Sequence, residues 1–296
     1  MTDATNGPAV HLSKHVPFVG VHISLADIAS IHDRLLVQVR EQAEIEISAL
    51  KKPPEQSDED WVAFLANARA SAFKIATTIK GRDGSALIGD SGSVFREPAV
   101  PARIQSVFLS NSAPYRNFAG TEPFNRFSLM FDFSKPPLFE VGVAISAPTA
   151  NNTNLEVQGN RGGWIAGVQA AVDAVLQERK TRRRWLHRGF IYDLGLFLFG
   201  FPLAFYVCWK TSHFVDQYLA PMGPFIVAVF YLYLGLVTLN VYRGLFGYAK
   251  WAFPVVELSD NADAAGTHRA VLSTILVAIF GRIIWEIASL VLKGGA

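Results

Sequence analysis

Three long apolar segments occupy the C-terminal third of the chain, and they restrict its possible folds more than any other feature. They cover about residues 189–209, 223–246 and 270–292. At 1.5 Å per residue, a helix of each length crosses about 30 Å of hydrocarbon. Only 18% of all residues are charged, a low fraction for a protein that is wholly soluble. We therefore predict a three-helix transmembrane domain over residues 189–296.

A dense cluster of cations lies directly before the first apolar segment, over residues 179–188. The loop between the second and third segments is also basic, whereas the opposite side carries only Lys210 and Lys293. By the positive-inside rule we predict a bacterial-type inner-membrane protein with a cytoplasmic N-terminus and an external C-terminus. No apolar run of signal-peptide type precedes the first segment, so that segment is expected to direct insertion.

The basic cluster is predicted to anchor this topology and to bind anionic phospholipid headgroups, at about 1 kcal/mol per cation. Because the cluster adjoins the bilayer, a nucleic-acid partner is not expected. Its members are Arg179, Lys180, Arg182, Arg183, Arg184 and Arg188.

The third apolar segment contains two charges, Arg282 and Glu286. Each charge costs about 2.5–3.5 kcal/mol at the centre of a membrane helix, and each apolar residue offsets about 0.3–0.6 kcal/mol. The i,i+4 spacing lets the two charges neutralise each other in part, so this side of the helix is expected to face protein. Residues 251–258 are predicted to lie flat in the cytoplasmic interface. Charges within or beside the membrane are candidates either for function or for joining the three helices to one another, and they are Asp193, Glu257, Arg269, Arg282 and Glu286.

Residues 21–178 are predicted to form a cytoplasmic α+β domain, preceded by a flexible arm over residues 1–20. Ser24 and Asp27 predict a capped helix that ends before the prolines at 53 and 54, and a second helix follows Ser57. Alternating and turn-bounded runs then predict an antiparallel sheet, and a closing helix is predicted from Trp164. The terminal helices are expected to cover one face of the sheet. The predicted strands lie near residues 73–79, 85–88, 103–109, 126–133, 139–145 and 155–157.

Three local patterns were weighed as chemical sites. Gly89-Asp-Ser-Gly92 resembles the motif of chymotrypsin-like serine proteases, but the long upstream β-barrel with its histidine and aspartate is missing, and Ser93 stands in place of the usual glycine. The loop from Gly159 to Trp164 offers either backbone amides to a phosphate or, as we favour, a chain reversal that places Trp164 in the core. Four histidines near the N-terminus lack a metal-binding arrangement, and they are His11, His15, His22 and His32.

The sequence constrains the function of this protein less than its architecture. The single cysteine, Cys208, excludes an intramolecular disulfide and a cysteine-based metal site. We expect no metal or cofactor, and we expect a non-enzymatic protein whose cytoplasmic domain binds a ligand or partner and is coupled to a membrane anchor. The partners would be the bilayer and either a second copy of the chain or another membrane protein. One alternative is a subunit of an oligomeric channel or transporter that uses Arg282 and Glu286. Another alternative is an enzyme with an unrecognised site in the soluble domain.

Overall fold

The structure, a computed structural model, describes residues 11–137, 149–261 and 265–294, and it divides into two compact units. The sheet unit comprises Met1–Ser134, Ala150–Arg182 and Val255–Ala262. The helical unit comprises Lys135–Thr149, Arg183–Pro254 and Asp263–Ala296. The predicted class, an α+β domain with an antiparallel sheet followed by three long apolar helices, is confirmed. The strand predicted over 139–145 lies outside the described residues.

The sheet unit is built on a six-stranded antiparallel sheet and a separate two-stranded pair. In chain order its strands are β1 (Leu12–Pro17), β2 (Val21–Ile23), β3 (Ala76–Gly81), β4 (Ala86–Gly89), β5 (Ile104–Ser110), β6 (Arg126–Asp132), β7 (Asn154–Gly159) and β8 (Val256–Leu258). The large sheet has the order β1-β7-β6-β5-β3-β4. The β3–β4 hairpin turns at Gly84, whose φ of 85° is readily adopted by glycine.

Buried and half-buried side chains alternate along the strands, and this alternation shows which face of the large sheet is covered. In β6 the side chains of Phe127, Leu129 and Phe131 are buried, whereas the intervening Ser128 and Met130 are half-buried on the other face. The buried side chains join one core with those of helices α1 (Leu25–Ala49) and α4 (Gly162–Leu176). The expectation that the terminal helices cover one face of the sheet therefore matches the core.

Helices α1 and α4 run antiparallel against each other. Ser24 and Asp27 form the predicted capping box at the start of α1. Near that end, Arg179 Nη2, just after α4, donates to Asp27 Oδ1 at 2.8 Å. Toward the other end of α1, Arg161 Nη1, at the start of α4, donates to Gln42 Oε1 at 2.8 Å. A helix of this length extends about 37 Å, so the pair links two distant ends of the unit.

The short strand β8 comes from the segment between the second and third apolar helices, yet it belongs to the sheet unit. It pairs in parallel with β2, so that Val21 lies opposite Val256 and Ile23 opposite Leu258. Val256 and Leu258 are 2% and 3% exposed and join the main core. The prediction that residues 251–258 lie flat in the membrane interface is therefore wrong for 256–258. Sequence patterns fail here because a three-residue strand has no detectable periodicity.

Several other local features differ from the prediction or add to it. Part of the predicted N-terminal arm is β1, an edge strand whose largely exposed side chains give no apolar pattern. Residues 112–119 form a further helix, α3 (Ser112–Ala119), which was not predicted. Helix α2 (Asp58–Ser71) buries little apolar surface: only Ala68 is buried, and Phe64 remains 39% exposed. After α4 the chain does not continue as one helix, because Lys180 is extended and forms a bridge to Val21.

The helical unit contains three helical stretches that are long and apolar enough to cross a membrane: Gly189–Lys210, Pro224–Ala252 and Gly266–Glu286. The first consists of α5 (Gly189–Gly195), a π-helical turn (Leu196–Gly200) and α6 (Phe201–Lys210). It continues through α7 (Ser212–Phe214) and two irregular turns. The second and third are α8 (Pro224–Ala252) and α9 (Ala265–Gly294).

Two glycines allow the first and second membrane helices to approach closely. A side chain at Gly195 would overlap with the hydroxyl of Tyr242, and one at Gly200 would come within 3.4 Å of the same ring. Tyr242 Oη in turn donates to the backbone oxygen of Tyr192 at 3.0 Å. Small residues at a helix contact are typical of membrane helix pairs.

Candidate functional site

A cleft in the sheet unit brings together polar side chains from four separate parts of the chain. It lies between the C-terminal half of α1, the helix α3 and the start of α4, and it encloses about 220 Å³, including its open mouth. Phe73 and Tyr115 form an aromatic pair in its wall, with ring centroids 5.6 Å apart. The polar groups in the wall are Gln42, Glu46, Asn111, Tyr115, Asn125 and Trp164.

Hydrogen bonds fix the polar wall. Arg161 donates to Gln42, and Gln42 Nε2 donates to Glu46 Oε1 at 2.8 Å. Asn111 Nδ2 donates to the backbone oxygen of Asn125 at 3.0 Å, and Asn111 Oδ1 accepts from the amide of Phe127 at 2.9 Å. The loop before β6 and the C-terminal half of α1 are therefore held on opposite sides of one opening.

Glu46 is the acidic group of the cleft. Burial raises the pKa of its carboxyl, although hydrogen bonds with Gln42, Asn125 and Tyr115 and the charge of Arg161 oppose the rise. Burial, together with the charge and hydrogen bond of Glu46, also raises the pKa of the Tyr115 phenol. The carboxyl and phenol therefore share a partly dehydrated environment, in which hydrogen bonds are stronger than in water.

Two buried polar atoms of the cleft have no hydrogen-bond partner in the described part of the chain. They are Asn125 Oδ1, an acceptor, and Trp164 Nε1, a donor. Asn125 is 3% exposed and Trp164 is 5% exposed. Burying such a group without a partner costs about 1–3 kcal/mol, so each unpaired atom in a native structure requires an explanation.

Gly159 allows the Asn125 side chain to pack directly against the backbone of the loop. A side chain there would overlap with Asn125 Oδ1 and would come within 3.2 Å of Trp164 Cδ1. The loop from Gly159 to Trp164 thus reverses the chain and buries Trp164, as favoured from the sequence. The indole nitrogen of Trp164 is thereby buried without a partner among the described residues, which the sequence did not indicate.

The charged pair predicted in the third apolar segment lies in a larger cluster. Arg282 Nη2 approaches Glu286 Oε1 at 2.9 Å, while the hydroxyl of Tyr206 donates to Glu286 Oε2. Lys210 Nζ is 3.6 Å from the same oxygen. Lys210 ends the first of the three apolar helices, whereas Glu286 lies within α9, which continues to Gly294.

The remaining predicted charges are dispersed. Glu257 lies in β8, with His22 of β2 opposite, so it belongs to the sheet unit. Arg269 Nε donates to the backbone oxygen of Ala252 at 3.0 Å, and its guanidinium lies 5.1 Å from the centroid of the Phe253 ring. Asp193 is exposed on α5.

The basic cluster is divided between the two units. Arg179 is bound to Asp27 and Lys180 bridges to Val21, both in the sheet unit. The 3₁₀ helix Arg182–His187 begins at the last residue of the sheet unit and continues into the helical unit, where Arg183 lies 5.4 Å from the centroid of the Phe253 ring. Arg182, Arg184 and Arg188 are exposed. Arg179 thus has a structural role besides any contact with lipid.

The histidines and the Gly89–Ser93 motif form no reactive arrangement in the described ranges. His32 is fully buried, with Nδ1 3.2 Å from Asp33 Oδ1. Ser91 and Ser93 share a hydrogen bond of 2.8 Å, and no hydrogen bond joins either of these described serines to His32. Among the described residues no three potential metal ligands lie together.

His187, which the sequence did not single out, is buried in the helical unit. Its Nε2 donates to the backbone oxygen of Phe253 at 2.7 Å, and its Nδ1 lies 3.0 Å from Thr149 Oγ1. Burial lowers the pKa of His187, and the charge of Lys250 lowers it further, although the bond to Phe253 opposes both. The neutral imidazole of His187 therefore links Thr149 to Phe253, the residue that follows α8.

Neither a family model, nor a curated protein, nor a solved structure matches this chain. The site must therefore be interpreted from its own chemistry. One sequence signal for the cleft was available: Gln42 and Glu46 continue the apolar stripe of α1 by steps of three and four residues after Val39. Polar residues on the buried side of a helix indicate a polar contact there, but not its partners.

Proposed function

We propose that this chain is an inner-membrane receptor-like protein, in which the sheet unit lies in the cytoplasm, binds a small ligand in its cleft and is coupled to the three membrane helices. The observation that carries this proposal is the position of residues 255–262. They connect the second and third membrane helices, and yet they fold as part of the sheet unit. Any movement within the sheet unit at β8 is thereby passed along the chain to both helices.

Several bonds hold the inter-helix segment in the sheet unit. Asp260 Oδ2 accepts from the amide of Leu25, the first residue of α1. The side chain of Asn261 accepts from the amide of Ile104 at 2.8 Å and donates to its carbonyl at 3.0 Å. Ser259 donates its amide to Ile23 at 2.9 Å. Strand pairing ends with β8, and polar side chains hold the residues that follow it.

The cleft and β8 lie at opposite ends of the same pair of helices. Gln42 and Glu46, in the C-terminal half of α1, line the cleft, whereas the first amide of α1 is bound by Asp260. Helix α4 begins near the cleft, and the turn after it ends with Arg179 at Asp27. A ligand that changes the packing of α1 against α4 is therefore in a position to alter the support of β8.

The pairing of β2 with β8 also supports the predicted topology. A segment that folds with the sheet unit must lie on the same side of the bilayer as that unit. Three crossings then place the C-terminus on the opposite side. The cations at residues 179–188 favour the cytoplasm for the sheet unit, and the exposed Arg184 and Arg188 remain candidates for contact with anionic phospholipid headgroups.

Single-cysteine labelling tests the topology. Replacement of Cys208 by alanine gives a background without cysteine. Ser57→Cys reports on the sheet unit, and Gly266→Cys on the inter-helix side, where an added side chain meets open space. Gln217→Cys, between the first two membrane helices, is exposed. In intact cells an impermeant maleimide should label only Gln217→Cys, and after permeabilisation it should label all three.

Labelling of both Ser57→Cys and Gly266→Cys in intact cells would show that the orientation is the reverse of the proposed one. Labelling of only one of these two would place the sheet unit and the inter-helix segment on opposite sides and would disprove the coupling through β8. Extraction of the full chain by carbonate without detergent would contradict the membrane assignment itself.

A channel or transporter subunit is the second candidate, favoured by the polar cluster of Tyr206, Lys210, Arg282 and Glu286. In this hypothesis several copies assemble, because three helices are too few to enclose a conduit. Both carboxylate oxygens of Glu286 are, however, engaged by the first and third helices. This arrangement supports a role in joining those helices more directly than a role in ion passage.

A further inference from the structure

Residues 18–21, referred to here as the linker, connect the large sheet to the two-stranded pair. Strand β1 of the large sheet ends at Pro17, and β2 of the pair begins at Val21. Phe18 and Gly20 are buried although they lie outside the sheets. Their backbone groups bind other segments of the sheet unit, and two of these segments lead directly to the membrane helices.

The first of the two segments leads to the first membrane helix. The backbone oxygen of Gly20 accepts from the amide of Thr181 at 2.6 Å and from its hydroxyl at 3.1 Å. Val21 also forms a bridge to Lys180. Because the first apolar helix begins at Gly189, the linker holds the chain shortly before it enters that helix.

The second segment lies between the second and third membrane helices. The amides of Gly20 and Val21 both donate to the backbone oxygen of Val255, at 2.9 and 3.3 Å. Helix α8 ends at Ala252, and Val255 is the first residue that belongs to the sheet unit again. Gly20 therefore binds the chain before the first membrane helix with its oxygen and the chain after the second with its amide.

The other end of the linker is bound to the large sheet. The amide of Phe18 donates to the backbone oxygen of Thr153 at 3.0 Å, and its oxygen accepts from Asn151 Nδ2 at 2.6 Å. Thr153 directly precedes β7, and its hydroxyl accepts from the amide of Asp132, the last residue of β6, at 2.9 Å. Phe18 thus moves with the large sheet, whereas Gly20 moves with the two segments that lead to the membrane.

Gly20 has the conformation that a change of direction in the linker requires. Its φ of 73° lies in the left-handed region, which glycine adopts readily and which strains residues with a side chain. A few residues between two elements, free to change their backbone dihedrals, are the usual form of a hinge.

We propose that the linker is a hinge and that the segments at Thr181 and Val255 move about it as one body. A rotation of the large sheet relative to the pair of β2 and β8 then displaces the chain at the first membrane helix and the chain at the second and third together. This inference rests on the proposed function, because it names the element through which the sheet unit is coupled to the membrane helices.

Hydrogen exchange of the full chain in detergent micelles tests the hinge with a matched pair of glycines. Gly20→Ala strains the linker, so the amides of Val21 and Thr181 should both exchange about tenfold faster than in the native chain. Gly84→Ala is the control, because Gly84 has a similar φ of 85° but lies in the β3–β4 hairpin. It should accelerate exchange in that hairpin and leave Val21 and Thr181 unchanged.

A milder variant tests the movement as one body without straining the backbone. Thr181→Val removes the hydroxyl that donates to Gly20 and keeps the shape of the side chain. Loss of this hydrogen bond should accelerate exchange about threefold or more at Thr181 and also at Val21, whose own partner is Val255. If Gly20→Ala does not fold, Thr181→Val decides the question.

A distance measurement shows whether the hinge acts on the membrane helices. Spin labels are placed at Ser57→Cys, in the sheet unit, and at Gln217→Cys, between the first two membrane helices, in the Cys208→Ala background. Gly20→Ala or Thr181→Val should broaden or shift the distance distribution, and Gly84→Ala should leave it unchanged. A role of Gly20 confined to its own loop would not alter this distance.

Faster exchange at only one of Val21 and Thr181 would overturn the hinge, because the two segments would then be held independently. An unchanged distance distribution in both linker variants, or an equal change in Gly84→Ala, would overturn it as well. None of these results depends on the labelling of cysteines in intact cells. If the hinge fails while that labelling holds, the proposed topology and the pairing of β8 with β2 stand.

Discussion

At the scale of single residues, the packing around the cleft depends on the absence of a side chain at Gly159. Gly159→Ala would force Asn125 away from its position, since the new Cβ overlaps with its Oδ1. We expect a loss of about 1–3 kcal/mol in the free energy of unfolding, as is typical for overpacking. Thermal unfolding of the full chain in micelles measures it. Gly162→Ala, three residues away with open space around its Cβ, should be nearly neutral, and equal effects of both substitutions would show that the loop backbone alone matters.

Glu46 should destabilise the empty protein at neutral pH. Burial raises the pKa of its carboxyl in the folded state, so its contribution favours folding below the unfolded pKa near 4.3 and is lost as pH rises through the folded pKa. Glu46→Gln should therefore raise the free energy of unfolding at pH 7.5 by up to about 1 kcal/mol, because solvent screens the partly exposed group. This gain should vanish near pH 4.

Unfolding measured across this pH range tests the assignment, and Glu44→Gln is the matched control on the same helix. The hydrogen bond from Arg69 lowers the pKa of Glu44, so its neutralisation should give no gain at pH 7.5. A gain for Glu44→Gln, or none for Glu46→Gln, would contradict the unfavourable burial of Glu46. A stabilising change that removes a ligand contact is the usual compromise between stability and function at a binding site.

The residues of the cleft could not be predicted from the sequence, because they meet only through tertiary packing. Glu46 and Asn125 are 79 positions apart in the numbering, and no local pattern joins them. The capping box at Ser24 could be predicted, since its two partners are three residues apart and both lie in the same turn. Contacts within one turn can be predicted from the sequence, whereas a site formed by residues far apart in the chain cannot.

At the scale of secondary-structure elements, strand β8 belongs to the sheet unit and lies in the chain between the second and third apolar helices. Val256→Asp would bury a charge at a position that is 2% exposed, which costs several kcal/mol unless the strand leaves the core. We expect β8 to detach. Hydrogen exchange of the full chain should then show faster exchange in β2 and at the first amides of α1, whose partners are Val256, Leu258 and Asp260.

Glu257→Gln is the control, because residue 257 points to the opposite face of the same strand and is only half-buried. It should leave exchange in β2 unchanged. If Val256→Asp leaves β2 and α1 as protected as before, then β8 contributes no stability to the sheet unit and the proposed coupling loses its physical basis.

Elements with a long regular pattern were predicted well. The stripe of α1, the alternation in β6 and the three apolar helices each extend over enough residues for their period to be recognised. The failures share the opposite property. Strand β1 is an edge strand held by backbone bonds to β7. Strand β8 has three residues paired with β2, and the side chains of Asp260 and Asn261 just after it bind α1 and β5. Both are specified by their partners rather than by their own side chains.

At the scale of the whole molecule, the order of the chain constrains how it can be made. The sheet unit acquires its last piece, residues 255–262, only after the second membrane helix has been synthesised. Its β1, β2 and α1 precede every membrane helix in the sequence. The sheet unit therefore cannot be completed until the first two apolar helices have been synthesised.

The cluster at Glu286 decides between an anchor and a channel. Glu286→Leu would leave Arg282 and Lys210 without the carboxylate that lies between them, so we expect weaker retention of the third helix and less assembled protein. Arg282→Leu combined with Glu286→Leu removes the pair together and should be less harmful than Glu286→Leu alone, which a double-mutant cycle on thermal unfolding measures. Ion flux in proteoliposomes should be the same for the native chain and the double variant. Altered flux with intact assembly would instead establish the cluster as part of a conduction path, formed by several copies of this chain.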